Sequence, residues 1–126
     1  MKLFIVVNVD WFFISHRLVV ALAAQQAGWD VTIVTADTGR LKDIKATGLR
    51  VVNLPMSRSG KNILQELRAF AFLYRLYRRE KPDVVHHVGI KTILWGTLAA
   101  KFASVLGVVN AISGLGGFFS EHNRSL

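Results

Sequence analysis

The sequence predicts an α/β domain: a Rossmann-like, doubly wound parallel sheet with helices on both faces. Three observations carry this expectation. Five short runs rich in β-branched residues recur along the chain, and most do not alternate apolar with polar, which is how strands buried on both faces read. Stretches with helical spacing separate these runs, giving the order β-α-β-α-β-α-β-α-β. The chain has 126 residues, of which 52% are hydrophobic and 19% charged, enough for a single domain over 1–126 and too little for two.

The elements follow in order. Leu3-Phe4-Ile5-Val6-Val7 is the first strand. A helix capped by Ser15 then runs through His16, Arg17 and the apolar residues after them to a stop at Gly28. The second strand is Val31-Thr32-Ile33-Val34-Thr35, and a short helix over 40–46 stops at Gly48. Val51-Val52-Asn53-Leu54 is the third strand, followed by a helix over 62–79 that ends before Pro82. Asp83-Val84-Val85-His86 is the fourth strand. The next helix, 90–106, carries a stripe of apolar residues at 90, 93, 94, 98, 102, 105 and 106, while Gly96, Ala99, Ala100 and Ala103 allow close approach to a sheet. Gly107 ends it, and Val108-Val109-Asn110-Ala111-Ile112 is the fifth strand.

Composition narrows the function classes. The absence of cysteine rules out a disulfide scaffold and thiolate zinc sites. Two prolines and a high apolar content exclude disorder. Sixteen Lys and Arg against eight Asp and Glu leave a formal charge of +8, which favours an anionic partner. The uncharged stretch 18–29 falls short of the ~20 apolar residues a membrane span requires. The first apolar run stops at Asn8 and Asp10 without a small-residue cleavage site, so no secretory signal is expected. A cytoplasmic location follows, with peripheral contact at an anionic membrane left open.

In an open parallel sheet, ligands bind beyond the C-terminal ends of the strands. Polar and basic residues concentrate in those segments here: Asp10 after the first strand, His86-His87 and Lys91 around the end of the fourth, and Ser113, Gly114, Gly116 and Gly117 after the fifth. His16, at the expected start of the first helix, would be kept neutral by the helix dipole and act as a hydrogen-bonding or basic group, or else pack locally. His86 and His87 point to opposite faces of their strand, so they make no two-histidine metal site, and one of them is expected to be buried against a helix. The glycine cluster offers backbone N–H groups to an anion or simply forms a turn. The first turn carries Trp11-Phe12-Phe13 in place of the G-x-G-x-x-G fingerprint, which argues against a dinucleotide cofactor. No nucleic-acid module, Ser-His-Asp order, HExxH or P-loop pattern is present. Arg68, Arg75, Arg78, Arg79 and Lys81 alternate with Phe70, Phe72, Tyr74 and Tyr77, which suits either a solvated helix face or one lying on anionic headgroups.

Taken together, residues 2–17, 35–39, 54–60, 83–91 and 109–116 resemble the N-terminal half of bacterial family-4 glycosyltransferases, especially those that extend lipid-linked sugars for surface polysaccharide or O-antigen. The resemblance covers nearly the whole chain in order. It implies a GT-B architecture in which this domain binds the acceptor and a second, absent domain binds the nucleotide-sugar donor. Transfer would retain anomeric configuration, with no metal or resident cofactor. The acceptor would be a lipid-linked sugar at the inner membrane face. On this resemblance Asp10, His16 and the His86–Lys91 segment form the acceptor wall, and Ser113–Gly117 face the interdomain cleft. Ser15-His16 and Asp83 to His86 match common family patterns. Trp11-Phe12-Phe13 stand where many members have glycines, which suggests packing against sugar or lipid. Val88 and Ser113 stand where many members have histidine. Two other readings remain: a non-catalytic partner subunit that docks a separate donor domain at the membrane, and a small Rossmann-like ligand-binding protein.

Overall fold

The computed structural model describes residues 1–55 and 63–111. The elements are β1 (Lys2–Val9), α1 (Asp10–His16), α2 (Leu18–Gln26), β2 (Asp30–Ala36), α3 (Leu41–Lys45), β3 (Arg50–Asn53), α4 (Ile63–Glu80), β4 (Val84–Val88), α5 (Ile90–Phe102) and β5 (Gly107–Ala111). The five strands form one sheet in the order β3-β2-β1-β4-β5. Every pairing is parallel. All five C-terminal strand ends therefore share one edge, and the strand order reverses direction between β1 and β4.

Helices cover both faces, as the unbroken apolar runs require. On one side Phe4, Val6, Val34 and Val85 pack with Leu73, Leu76 and Tyr77 of α4 and with Ala99 and Ala100 of α5. On the other, Ile5, Val7, Ile33 and Val88 pack with Phe13 of α1, Ala21 of α2 and Ile44 of α3. The strict alternation of β1 between these two groups is the period of two of a pleated strand with a core on each side.

The structure revises two sequence expectations. The segment after β1 is not a loop: helix begins at Asp10, and Phe13 is fully buried under the sheet. Ser15 therefore lies inside α1 and caps nothing. The one expected helix is two, broken at Arg17 (φ −126°, ψ −7°). On α5 the small residues meet the sheet, as expected, while most of the large apolar stripe lies outside, with Ile93 and Val105 half-buried. Ile90, Leu94, Leu98, Phe102 and, just beyond the helix, Leu106 are exposed, while Thr92, Gly96, Ala99 and Ala100 form the buried side. Small residues let the helix lie close to the strands, and the large ones are left outside.

The basic helix α4 also divides its residues. Tyr77 is in the core, and Phe70 makes edge contacts with Trp95 (centroids 6.0 Å apart) and Phe102 (6.3 Å) of α5. The arginines at 68, 75, 78 and 79 remain exposed. The aromatics thus largely build the helix pair, and the outer surface of α4 is cationic.

Candidate functional site

The rim above the β1–β4 junction is where an open sheet of this order holds ligands. Two chain reversals border it. Asp10 opens α1 directly after β1. Gly89 joins β4 to α5 at φ +101°, a left-handed conformation that suits glycine, with Asn8 of β1 beside it. Among the described residues no side chain caps the start of α5, whose first N–H groups lie at the positive end of the helix dipole.

Asp10 sits at this rim but its carboxylate points inward, with no exposed surface. One oxygen accepts from the Trp11 N–H (2.8 Å) and the Thr38 hydroxyl (2.5 Å). The other accepts from the Thr38 N–H (2.9 Å) and the Arg40 N–H (2.8 Å). Burial alone would raise its pKa, yet the bonds from Thr38, Arg40 and Trp11 outweigh burial and hold it below the usual value. Its four bonds fasten the β2–α3 turn to the start of α1. The acceptor-wall reading of Asp10 is revised accordingly: the carboxylate clamps two strand ends together.

His16 lies in the last turn of α1, not at a helix start. The helix-start argument made from the sequence therefore does not apply to this residue. The ring is exposed, stacked on Phe12 (4.1 Å between centroids, 8° between planes). Nδ1–H donates to the Phe12 carbonyl at 3.3 Å, leaving Nε2 without a partner among the described residues.

The two strand histidines separate as their alternation requires. His87 is fully buried between β4, α4 and α5. Its Nδ1–H donates to Asn110 Oδ1 (2.9 Å), and Nε2 accepts from the Tyr77 hydroxyl (2.9 Å). One neutral tautomer satisfies both bonds. Burial pushes its pKa down to about 4 against the bond to Asn110, and the nearby His86 lowers it further. Gly96 makes room for the ring, since a Cβ there would lie 2.3 Å from His87 Cδ2 and Nε2. His87 is thus a core fastener with no surface to offer an acceptor, and its assignment to the acceptor wall is withdrawn.

His86 faces the opposite layer, half-buried, with Nδ1–H donating to the Val109 carbonyl at 3.0 Å. Burial lowers its pKa; the Val109 bond opposes this and the Arg17 charge adds to it. His86, Arg17 and His16 consequently occupy one side of the sheet, around the α1–α2 break. Arg17 was not among the sequence candidates. Its Nη1–H donates to the His16 carbonyl at 3.3 Å, while its buried Nε has no partner among the described residues. The only sequence signal for it was its place directly after His16. Lys91, in the first turn of α5, stands at the rim on the opposite layer and pairs with Glu66 of α4 at 3.4 Å. Ser113, Gly114, Gly116 and Gly117 lie outside the described residues.

The geometry is thus a rim with a helix N-terminus and Lys91 on one side, and His16, Arg17 and His86 on the other. Among the described residues, no three His, Asp or Glu side chains converge as a metal site would need. The comparison that decides the family spans almost the full length: residues 2–126 match the model of glycosyl transferase 4-like domains. This chain belongs to that family.

Individual family relatives and fold neighbours agree. Over 98 residues the chain is 28% identical to the Escherichia coli UDP-Gal:alpha-D-GlcNAc-diphosphoundecaprenol alpha-1,3-galactosyltransferase, covering 78% of this chain and 25% of the enzyme. The chain therefore spans about a quarter of that relative. Among solved structures, Acinetobacter baumannii MurG superposes with a TM-score of 0.70 at 20% identity, over 87% of this chain and 35% of MurG. The glycosyltransferase VinC, in complex with dTDP, gives 0.63 at 19% identity, over 98% of this chain and 38% of VinC. At these identities the structural likenesses establish the fold: a Rossmann-like domain of the kind found in GT-B glycosyltransferases.

Proposed function

We propose that this chain is the acceptor-binding domain of a retaining glycosyltransferase that moves a sugar from a nucleotide-sugar to a lipid-linked diphosphate sugar. The observation that carries this reading is the family match over residues 2–126 on a sheet whose strand ends meet at one rim. The galactosyltransferase relative, whose name specifies a GlcNAc-diphosphoundecaprenol acceptor, supplies the substrate class. The donor is bound by a second domain, and no resident cofactor is required.

The rim residues have chemistry suited to such an acceptor. The uncapped α5 N-terminus and Lys91 attract a diphosphate. His16 offers an Nε2 with no partner among the described residues and a flat ring stack with Phe12, a platform for a sugar face. Arg17 and His86 flank the same side. No helix among the described residues is long and apolar enough to cross a membrane. Access to a lipid-linked acceptor then comes from peripheral contact with the inner membrane surface, favoured by the +8 charge.

Calorimetric titration tests this reading. The chain should bind a short-chain GlcNAc-diphosphoprenol and show no heat with NAD; binding of NAD with none of the diphosphoprenol sugar would refute it. Without a donor domain the charge building on the leaving diphosphate goes unstabilised, so no transfer from UDP-galactose is expected.

A further inference from the structure

Helices α4 and α5 run side by side in the same direction, with their first turns level at the rim. Two contacts fix this: Glu66 of α4 meets Lys91 of α5, and one turn further on Phe70 meets Trp95, at the same offset along the chain. Lys91 stands in the opening turn of α5, which contains no acidic residue. A lysine there opposes the positive end of the helix dipole, so the placement is a local conflict. Such conflicts gather where a chain meets a charged partner. Glu66 occupies the opening turn of α4, where a helix favours a carboxylate.

Carboxylates are scarce on this side of the sheet. Residues 84–111, which carry β4, α5 and β5, contain no Asp or Glu. The other acid of α4, Glu80, is at the far end of the helix and is held by Arg50. Glu66 is therefore the carboxylate that α4 and α5 bring to the rim. Its Oε1 lies 3.4 Å from Lys91 Nζ, and the two side chains keep 19% and 34% of their surface exposed. A single contact of this length, open to solvent, contributes little to folding stability. It does offset the lysine charge that an incoming anion would meet.

The geometry points to Glu66 as a built-in competitor for the acceptor diphosphate: it holds Lys91 while the rim is empty and gives the ammonium up when the anion arrives. This rests on the reading of a diphosphate acceptor at Lys91 and adds the regulation of that site. Both side chains are partly exposed, so the exchange requires no repacking of the core. Binding then includes the breaking of the Glu66 contact, which holds the affinity down. The extended product leaves more readily for the same reason, as Glu66 retakes the lysine.

Calorimetric titration of the full chain with inorganic pyrophosphate at about 25 mM NaCl, where exposed charges are weakly screened, tests it. Glu66→Gln should bind pyrophosphate at least about threefold more tightly than the parent, within the range an exposed ion pair spans. Lys91→Gln should bind more weakly than the parent. In that background the gain from Glu66→Gln should be at least about twofold smaller, because no ammonium remains to compete for. Circular dichroism checks that the variants are folded. In the parent itself, the carbon-13 resonance of the Glu66 carboxyl should shift as pyrophosphate saturates the chain. The proposal is overturned if Glu66→Gln binds no more tightly than the parent, if the gain is equal in both backgrounds, as plain repulsion would give, or if the parent resonance stays in place. Pyrophosphate carries no sugar or lipid, so failure here leaves the titration with GlcNAc-diphosphoprenol standing. Absence of binding in that titration, with the pyrophosphate results as expected, would overturn the acceptor reading and leave the competition for Lys91 intact.

Discussion

Replacing Gly96 by alanine tests whether the buried histidine dictates the packing of α5. Gly96 lies inside the helix, where alanine ordinarily gains about 1 kcal/mol over glycine. Here the new methyl would sit 2.3 Å from two atoms of the His87 ring and 3.0 Å from a third. Carbon atoms in contact prefer roughly 3.5–4.0 Å, so the ring or the helix must move by more than about 1 Å. The ring cannot move freely. Hydrogen bonds of 2.9 Å to Tyr77 and 2.9 Å to Asn110 hold it from both sides. Overpacking costs about 1–3 kcal/mol, and each buried hydrogen bond left unmade costs about 1–3 kcal/mol more. After the helical gain is subtracted, Gly96→Ala should destabilise the fold by about 2–4 kcal/mol. Equilibrium urea unfolding followed by circular dichroism measures this directly. In the background of His87→Ala the obstruction is gone, so the same substitution should cost at least about 1 kcal/mol less there. If Gly96→Ala proves neutral or stabilising in the parent chain, the tight fit between α5 and His87 is wrong.

Other predictions follow from the same network and from the strand ends. His87 titrates near 4 in the folded chain against 6.5 in the reference state. Stability should be complete above pH 6.5 and fall by about 3 kcal/mol as pH drops toward 4, because the unfolded chain takes up the proton first; urea midpoints measured across that range should lose much of this slope in His87→Gln. Asp10→Ala leaves the Thr38 and Arg40 amides without their acceptor and should cost about 2–4 kcal/mol. Asp10→Asn, which keeps one acceptor oxygen, should cost less, and both are read by thermal unfolding. Gly89→Ala, at φ +101°, should destabilise the β4–α5 turn by about 1–2 kcal/mol while leaving far-ultraviolet dichroism intact.

Much of the fold was legible because β1, β2 and β4 are apolar on both faces, and only a covered parallel sheet accepts such strands. The first turn was misread because Asp10-Trp11-Phe12-Phe13 looks too bulky for a helix start. In the structure Phe13 goes under the sheet while Trp11 remains 39% exposed, a division that depends on where the helix begins. On α5 both faces are apolar, and it was residue size, not periodicity, that marked in the sequence the side that meets the strands. Size decides: Gly96, Ala99 and Ala100 fit against the sheet. The site was the least legible part. His87 finds Tyr77 ten positions upstream and Asn110 twenty-three downstream, and Asp10 finds Thr38 and Arg40 across the sheet edge. Such partners are set by strand register, which the order of residues does not disclose. Strand alternation did foretell that one histidine of the pair would be buried.

The Asp10 clamp has a mechanical consequence. A single side chain anchors two backbone reversals, so they move as one piece. A guest molecule that displaced the opening turn of α1 would drag the following reversal along with it. Protons on the Thr38 and Arg40 nitrogens would then trade with heavy water faster, reporting from a distance on an event they do not touch.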